Sequence, residues 1–291
     1  MTKICVFSDL HIGQAGKPAN NFKFKDQIFS DYLLLQSNIY DLIILNGDVF
    51  ELWEGVVETV LHAGIESIRK LTHERFETIK ASYPKIVETI KKLSVEGKLV
   101  LINGNHDSLV RIDSDKLLPG MQVYENKTVT IGPYVIRFEH GHQGDAWCKE
   151  GSALSCISWF TTQFRSAIDD LVTTKLDESF DLLTESIDTS SDAIKIFAGK
   201  LGKAVSADVV VFGHTHIPLL DQLERGLLGR DSGVIYANSG KSCDSDDLID
   251  QVSIYVEDKG VMVVEKRKAS VKTAGVTIVQ SIMCSKTWSE S

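Results

Sequence analysis

Residues 4–11, Ile4-Cys5-Val6-Phe7-Ser8-Asp9-Leu10-His11, open as an unbroken apolar run and end on two side chains that can ligate metal. Three more runs repeat the first half of this design: Leu42-Ile43-Ile44-Leu45, Leu99-Val100-Leu101-Ile102 and Val209-Val210-Val211-Phe212. Each is too short for a helix and too uniformly apolar for a half-exposed strand, so each predicts a strand buried on both faces. A fifth segment, Tyr134 to Phe138, carries one arginine and is less pure. Between the runs lie helical patterns over about residues 24–37 and 56–80, and a third opening at Pro84, where proline suits a first helical turn and Gly97 suits the position after the last. Strand and helix alternating in this way predict an α/β fold, whereas residues 219–266 read as turn-separated strands with no helix between them. A two-sheet core flanked by helices accommodates both halves.

Composition sets the bounds. The 291 residues are 43% hydrophobic and 24% charged, an ordinary globular balance long enough to bury a core without disulfides. The net charge of -9 argues against a surface that holds nucleic acid or anionic lipid by electrostatics alone, so a phosphate-bearing substrate must be gripped locally. No apolar stretch approaches the roughly 18 residues of a membrane helix, and MTKICVFSDLHIG lacks the order of a secretory signal, which makes cytoplasmic the default expectation. Cysteines 5, 148, 156, 243 and 284 are odd in number and scattered, reading as reduced thiols. Residues 1–268 are expected to form one domain. Within it residues 146–206 read as a helical insertion that groups Trp147, Trp159, Phe160 and Phe164, as core packing or as a lid over the crevice. Residues 269–291 have weak periodicity and are expected to be a tail of low order. Oligomeric state leaves no mark in the sequence.

The residues immediately after each run carry the chemistry. Behind the first come Asp9 and His11; behind the second, Asn46-Gly47-Asp48-Val49-Phe50-Glu51; behind the third, Asn103-Gly104-Asn105-His106-Asp107. The fifth segment leads into His140-Gly141-His142, and the last run into Gly213-His214-Thr215-His216. Ligands of α/β sheets gather at the carboxyl ends of strands, so these loops should converge on one crevice. Asp9, His11, Asp48, Asn105, His140, His214 and His216 make seven candidate ligands of carboxylate, imidazole and amide type, which suit Mn²⁺, Fe²⁺ or Zn²⁺. Seven exceed one tetrahedral ion and fit two sharing a carboxylate, for which Asp48 is the natural bridge. Two such ions are a standard device for phosphate-ester hydrolysis.

Asp-x-His, Gly-Asp-x-x-(Asp/Glu), Gly-Asn-His-Asp, His-Gly and Gly-His-x-His, in this order over residues 9 to 216, resemble the signature of calcineurin-like metallophosphoesterases. The resemblance implies a double β-sandwich core flanked by helices and two divalent ions, manganese foremost, with iron, zinc or magnesium as other occupants. Asp9, His11 and His216 would hold one ion, Asn105, His140 and His214 the other, with Asp48 between. His106 matches the catalytic histidine that contacts phosphate and protonates the leaving oxygen. Glu51 stands where an acidic residue orients that histidine. Asn105 would also contact substrate, and His142 would line the phosphate pocket or face solvent. Acidic neighbours Asp107 and Asp145 could assist, though acidic surface turns are commoner.

A narrower similarity, over residues 8–13, 47–53 and Gly-His-Thr-His-x-Pro, is to UDP-2,3-diacylglucosamine pyrophosphohydrolases. The chain departs from them at His106, where arginine is usual, at His142, where aspartate is usual, and in lacking a basic apolar lid. The expectation is therefore a metal-dependent phosphoesterase in which a hydroxide bridging two metals attacks phosphorus in line. Its substrate would be a phosphodiester, pyrophosphate or phosphomonoester. A protein serine/threonine phosphatase and a nucleotide phosphatase are the alternatives within the family. A non-catalytic scaffold, as in a retromer subunit of similar fold, is the alternative outside catalysis; it predicts lost ligands, and here all seven positions are filled.

Overall fold

The computed structural model describes residues 2–17, 20–52, 65–107, 114–144, 191–223, 233–242, 248–257, 260–270 and 279–288. The strands are β1 (Lys3–Phe7), β2 (Leu42–Asn46), β3 (Leu99–Ile102), β4 (Val123–Tyr124), β5 (Asn126–Ile131), β6 (Tyr134–Glu139), β7 (Val209–Phe212), β8 (Leu219–Gln222), β9 (Ile235–Asn238), β10 (Leu248–Val256), β11 (Met262–Ser270) and β12 (Val279–Trp288). The described helices are α1 (Asp26–Ile39), α2 (Ile65–Ser82), α3 (Pro84–Val95), the short α4 (Ser114–Leu117) and α5 (Ser191–Ala204).

Two sheets result. One has seven strands in the order β12-β11-β10-β1-β2-β3-β4, with β1 to β4 parallel and the β10 side antiparallel. The other has five, in the order β5-β6-β7-β9-β8, parallel through β6, β7 and β9. Alternation along each buried run explains the layering. Ile4, Val6 and Ile44 face Ile136, Phe138, Val209 and Val211 of the other sheet, whereas Cys5, Phe7, Ile43 and Leu45 pack under the helices with Phe29, Tyr32, Ile86 and Ile90. On the far face α5 covers Val210, Phe212 and Tyr236 with Ile194 and Ala198. The strands had to be apolar on both faces because each sheet is sandwiched on both sides.

Local chemistry sets the helix ends. Asp26 at the start of α1 accepts the backbone N–H groups of Lys85 (3.1 Å) and Ile86 (2.9 Å), so it caps α3 just behind Pro84, which has no N–H to satisfy. At the other end Gly97 takes φ 72° while Lys98 donates back to the Leu93 carbonyl at 2.8 Å, closing the helix.

Two expectations need correction or restriction. The segment 269–291 is not merely a tail: β11 runs on to Ser270, and Val279–Trp288 pairs antiparallel with it as the sheet's edge strand. Its weak periodicity was a poor guide because register and backbone pairing, more than alternation, define an edge strand. Of the helical patterns, α2 covers residues 65–82, and residues 56–64 lie outside the described residues. So does most of the insertion with Trp147, Trp159, Phe160 and Phe164; its last part is helix α5.

Candidate metal centre

The parallel strands β1, β2 and β3 end side by side, and their loops stay zipped beyond the sheet. Asp9 N–H donates to the Gly47 carbonyl (3.1 Å), His11 N–H to Asp48 O (2.9 Å), Ile12 N–H to Val49 O (3.0 Å) and Glu51 N–H to Ile12 O (3.1 Å). The third loop is joined through Asp107. This carboxylate, fully buried, accepts the N–H groups of Gly104 (2.6 Å) and Val49 (2.8 Å). Asp107 is therefore an internal brace and not an acidic surface turn. Asn46 ties the second sheet to the first by donating its amide to Glu139 O (3.0 Å) and Val211 O (3.2 Å).

The residues expected to bind metal meet at this junction. Asp9, His11, Asp48, His214 and His216 all have left-handed backbone, with φ of 54°, 45°, 51°, 67° and 57°. A conformation that costs a non-glycine residue roughly 1–2 kcal/mol persists only where the surroundings over-determine it, and it concentrates at functional sites. Glycines make the closeness possible. A Cβ at Gly104 would collide with the carboxylate and backbone of Asp48, and one at Gly47 with the ring of His140. This is the physical content of Gly-Asp and Gly-Asn-His-Asp.

Three ligand groups assemble: Asp9, His11 and His216; Asp48, His140 and His214; and His11, Asp48 and His106. The first holds the residues expected around one ion, the second joins Asp48 to two of those expected around the other, and the third links His11 and Asp48 to His106. Their spacing and tautomers suit an ion. His11 Nδ1 donates to Glu51 (3.0 Å), which leaves the lone pair on Nε2, 3.3 Å from His216 Nε2. Two nitrogens tetrahedrally placed about one ion at roughly 2.0–2.1 Å stand about that far apart. His216 Nε2 is 3.4 Å from Asp9 Oδ1. In the second group His140 Nδ1 donates to the Asn46 carbonyl (2.9 Å), turning Nε2 toward Asp48 Oδ2 at 3.1 Å. Asn105 Oδ1 is buried with no hydrogen-bond partner, an acceptor that a cation could satisfy. The donor set therefore fits divalent ions.

His106 lies at the rim, its side chain 19% exposed, with Nδ1 3.0 and 2.9 Å from the two oxygens of Glu51. Burial works against its protonated form, but Glu51, Asp48 and Asp107 outweigh that and push its pKa up to about 10. Burial likewise opposes charge on His140, and Asp48 and Asp9 raise it to about 9. His11 goes the other way, burial lowering it in spite of Glu51. Desolvation would raise Asp48, yet the surrounding histidines hold it well below the usual carboxylate range. His142 is buried in a 3-10 turn, its ring 5.5 Å from His140 and 6.4 Å from His214, so it does not face solvent.

Sequence reasoning missed Asn46 and Ser8 as framework. Ser8 Oγ lies 2.6 Å from Ser239 Oγ and donates to the Gly240 carbonyl (3.0 Å), locking the loop after β9 beside the site. Both sit at the end of an apolar run, a position that could have singled them out. Asp145 lies outside the described residues.

The profile of the calcineurin-like phosphoesterases matches residues 2–218. No curated protein matches the chain. Among solved structures, the vacuolar sorting protein Vps29 of Cryptosporidium parvum aligns at 13% identity and TM-score 0.46, over 97% of this chain and 97% of its own. The zinc complex of Entamoeba histolytica Vps29 aligns at 12% and 0.42, over 97% and 99%. A novel archaeal phosphodiesterase aligns at 14% and 0.36, over 92% and 99%.

Proposed function

Because the chain belongs to the calcineurin-like phosphoesterase family, we propose that it is a metal-dependent hydrolase of phosphate esters or anhydrides. The observation that carries this reading is the convergence of Asp9, His11, Asp48, His140, His214 and His216 in ligand groups, beside an Asn105 acceptor buried without a partner. Asp9, His11 and His216 would hold one divalent ion, Asn105, His140 and His214 the other, with Asp48 shared and manganese the first choice. Such a pair neutralises phosphate charge and lowers the pKa of water so that a nucleophile is available near neutral pH.

The protein's own groups do the rest. His106, with Nδ1 engaged by Glu51, presents Nε2 as the edge that would donate a proton to the leaving oxygen. In metal-free protein the carboxylates that surround it favour the protonated ring. Asn105, whose amide oxygen is buried without a partner, and His142, whose ring lies near those of His140 and His214, would contact the phosphate.

The test is turnover of bis-p-nitrophenyl phosphate and p-nitrophenyl phosphate by metal-stripped protein refilled with Mn²⁺, beside Asp48→Asn. Hydrolysis that depends on Mn²⁺ and is abolished by the substitution supports the reading. Faster cleavage of the diester points to a phosphodiester or pyrophosphate substrate, and preference for the monoester to nucleotides or phosphoproteins. A protein that binds ions and turns over neither ester overturns it in favour of a binding role.

A further inference from the structure

Glu51 touches more than the histidine it was expected to orient. Its carboxylate lies 3.0 Å from His11 Nδ1 through Oε2, and 3.0 and 2.9 Å from His106 Nδ1 through Oε1 and Oε2. The two rings stand edge to face, 4.8 Å apart. An ionised carboxylate only accepts, so both Nδ1 atoms must carry hydrogen. That fixes the His11 lone pair on Nε2, the atom facing His216, and the same carboxylate fixes the plane of His106.

The fold explains how this position can do both. β2 lies between β1 and β3, so a residue on the loop after β2 has the β1 loop on one side and the β3 loop on the other. Glu51 is pinned there by its own N–H on the Ile12 carbonyl (3.1 Å), next to His11, while Asp107 fastens the β3 loop to Val49 at 2.8 Å. The side chain is almost wholly buried, so water does not compete for its oxygens. An aspartate, one methylene shorter, would have less reach toward the two rings from this backbone.

We propose that Glu51 is a positioning residue with two arms, one setting His11 as a metal ligand and the other aligning His106, so that ion affinity and proton delivery are coupled through one carboxylate. The ion in question is that of the phosphoesterase reading, on which this inference rests. A carboxylate behind a ligating imidazole fixes its tautomer and raises its basicity, typically worth 10–100-fold in metal affinity.

The test separates the two arms. In Glu51→Gln a single carbonyl oxygen can accept from one ring, and the amide N–H₂ forces the other to accept at Nδ1 and carry its hydrogen on Nε2. Titration with Mn²⁺ by calorimetry should show one of two ions weakened about 10–100-fold, and Glu51→Asp should lose part of that affinity. His106→Gln, which leaves His11 and Glu51 in contact, should bind both ions as the unaltered protein does while turnover falls. Ring-nitrogen NMR of the unaltered, metal-free protein should report the Nδ1–H tautomer at His11. Unchanged ion affinity together with unchanged turnover in Glu51→Gln, equal weakening in His106→Gln, or an Nε2–H tautomer at His11 would each overturn the proposal. The NMR result needs no variant, so a substitution that fails to fold leaves it decisive. None of these readouts is turnover alone, so a protein that binds two ions and hydrolyses nothing would sink the activity reading and leave the coupling intact.

Discussion

The two sheets bring different chemistry to the same crevice. Among the described residues, the loops that leave β1, β2 and β3 supply the carboxylates of the cluster, Asp9, Asp48, Glu51 and Asp107, and they are laced together by backbone hydrogen bonds. The loops that leave β6 and β7 supply imidazoles, His140, His142, His214 and His216, held across the gap by Asn46 and by Asp9 accepting the His214 N–H (3.1 Å), and within their own sheet by Asn238 donating to Gly213 O (2.6 Å). One side gives negative charge and the His11 imidazole on a rigid frame, and the other gives imidazoles whose lone pairs a metal takes up in place of protons. A divalent cation needs both, and each expected ligand set takes members from each sheet. Ion binding would therefore clamp the mouth of the sandwich.

The comparison breaks most severely at the carboxylate that both sets share. Asp48→Asn removes a charge that faces His140 (3.1 Å) and accepts the His106 N–H (2.8 Å). Groups behind a ligand are worth about 10–100-fold, so loss of the shared ligand itself should exceed a hundredfold in turnover, with fewer ions retained on elemental analysis. Two ions retained together with full activity would mean that the imidazole side suffices.

Next in size is His106, which sits on the carboxylate side but ligates nothing in the expected division. His106→Gln should lower kcat about 10²–10⁴-fold for an alkyl phosphate, whose leaving oxygen needs a proton, and much less for a p-nitrophenyl ester, whose leaving group does not. Equal losses with both leaving groups would make His106 a phosphate contact instead of a proton donor.

The imidazole side can be divided by burial. The His140 side chain is fully buried, whereas that of His216 is 45% exposed. Alanine at either should cost ion binding. In metal-free protein, however, His140→Ala opens a cavity under the Asn46 carbonyl and should destabilise by about 2–4 kcal/mol, while His216→Ala stays within about 0.5 kcal/mol. Denaturant melts in chelator measure this directly, and equal midpoints would show that the second sheet's loop carries no structural load at His140.

How much of this is legible in the sequence depends on the same division of labour. The runs at 4–7, 42–45, 99–102 and 209–212 announced β1, β2, β3 and β7, because a strand covered on both faces must be apolar throughout. The converging Asp, His and Asn residues were legible for a similar reason: ligand chemistry restricts residue type at strand ends. Asp107 was not, since a buried carboxylate that braces two loops through their backbone N–H groups is spelled the same as a solvated turn. The second contact of Glu51 depends on β2 lying between β1 and β3, a neighbour relation that no local pattern contains. Edge strand β12 escaped because pairing, not patterning, defines it.

The finest difference between the sides is the proton that an ion would displace. In metal-free protein His140 is raised to about 9 and His106 to about 10, against about 6.5 in an unfolded chain. A folded value above the unfolded one gives stability that is fully present below pH 6.5 and is lost as pH climbs toward 9 and 10. Asp9 and Asp48, both lowered, behave oppositely: their contribution is present above about pH 4 and is lost in acid. Metal-free protein should thus lose stability steadily from pH 6.5 to 8.5. Bound metal takes the place of the His140 proton, so in loaded protein that part of the loss should vanish, while the part due to the His106–Glu51 pair stays. The gap in Tm between loaded and stripped protein should accordingly widen with pH, by about 2–4 °C for each kcal/mol at this chain length. Calorimetric titration at pH 7.5 in buffers of different ionisation enthalpy should show about one proton released from His140. A constant gap with no proton release would mean that the carboxylates of the first sheet do not hold the imidazole of the second in its charged form.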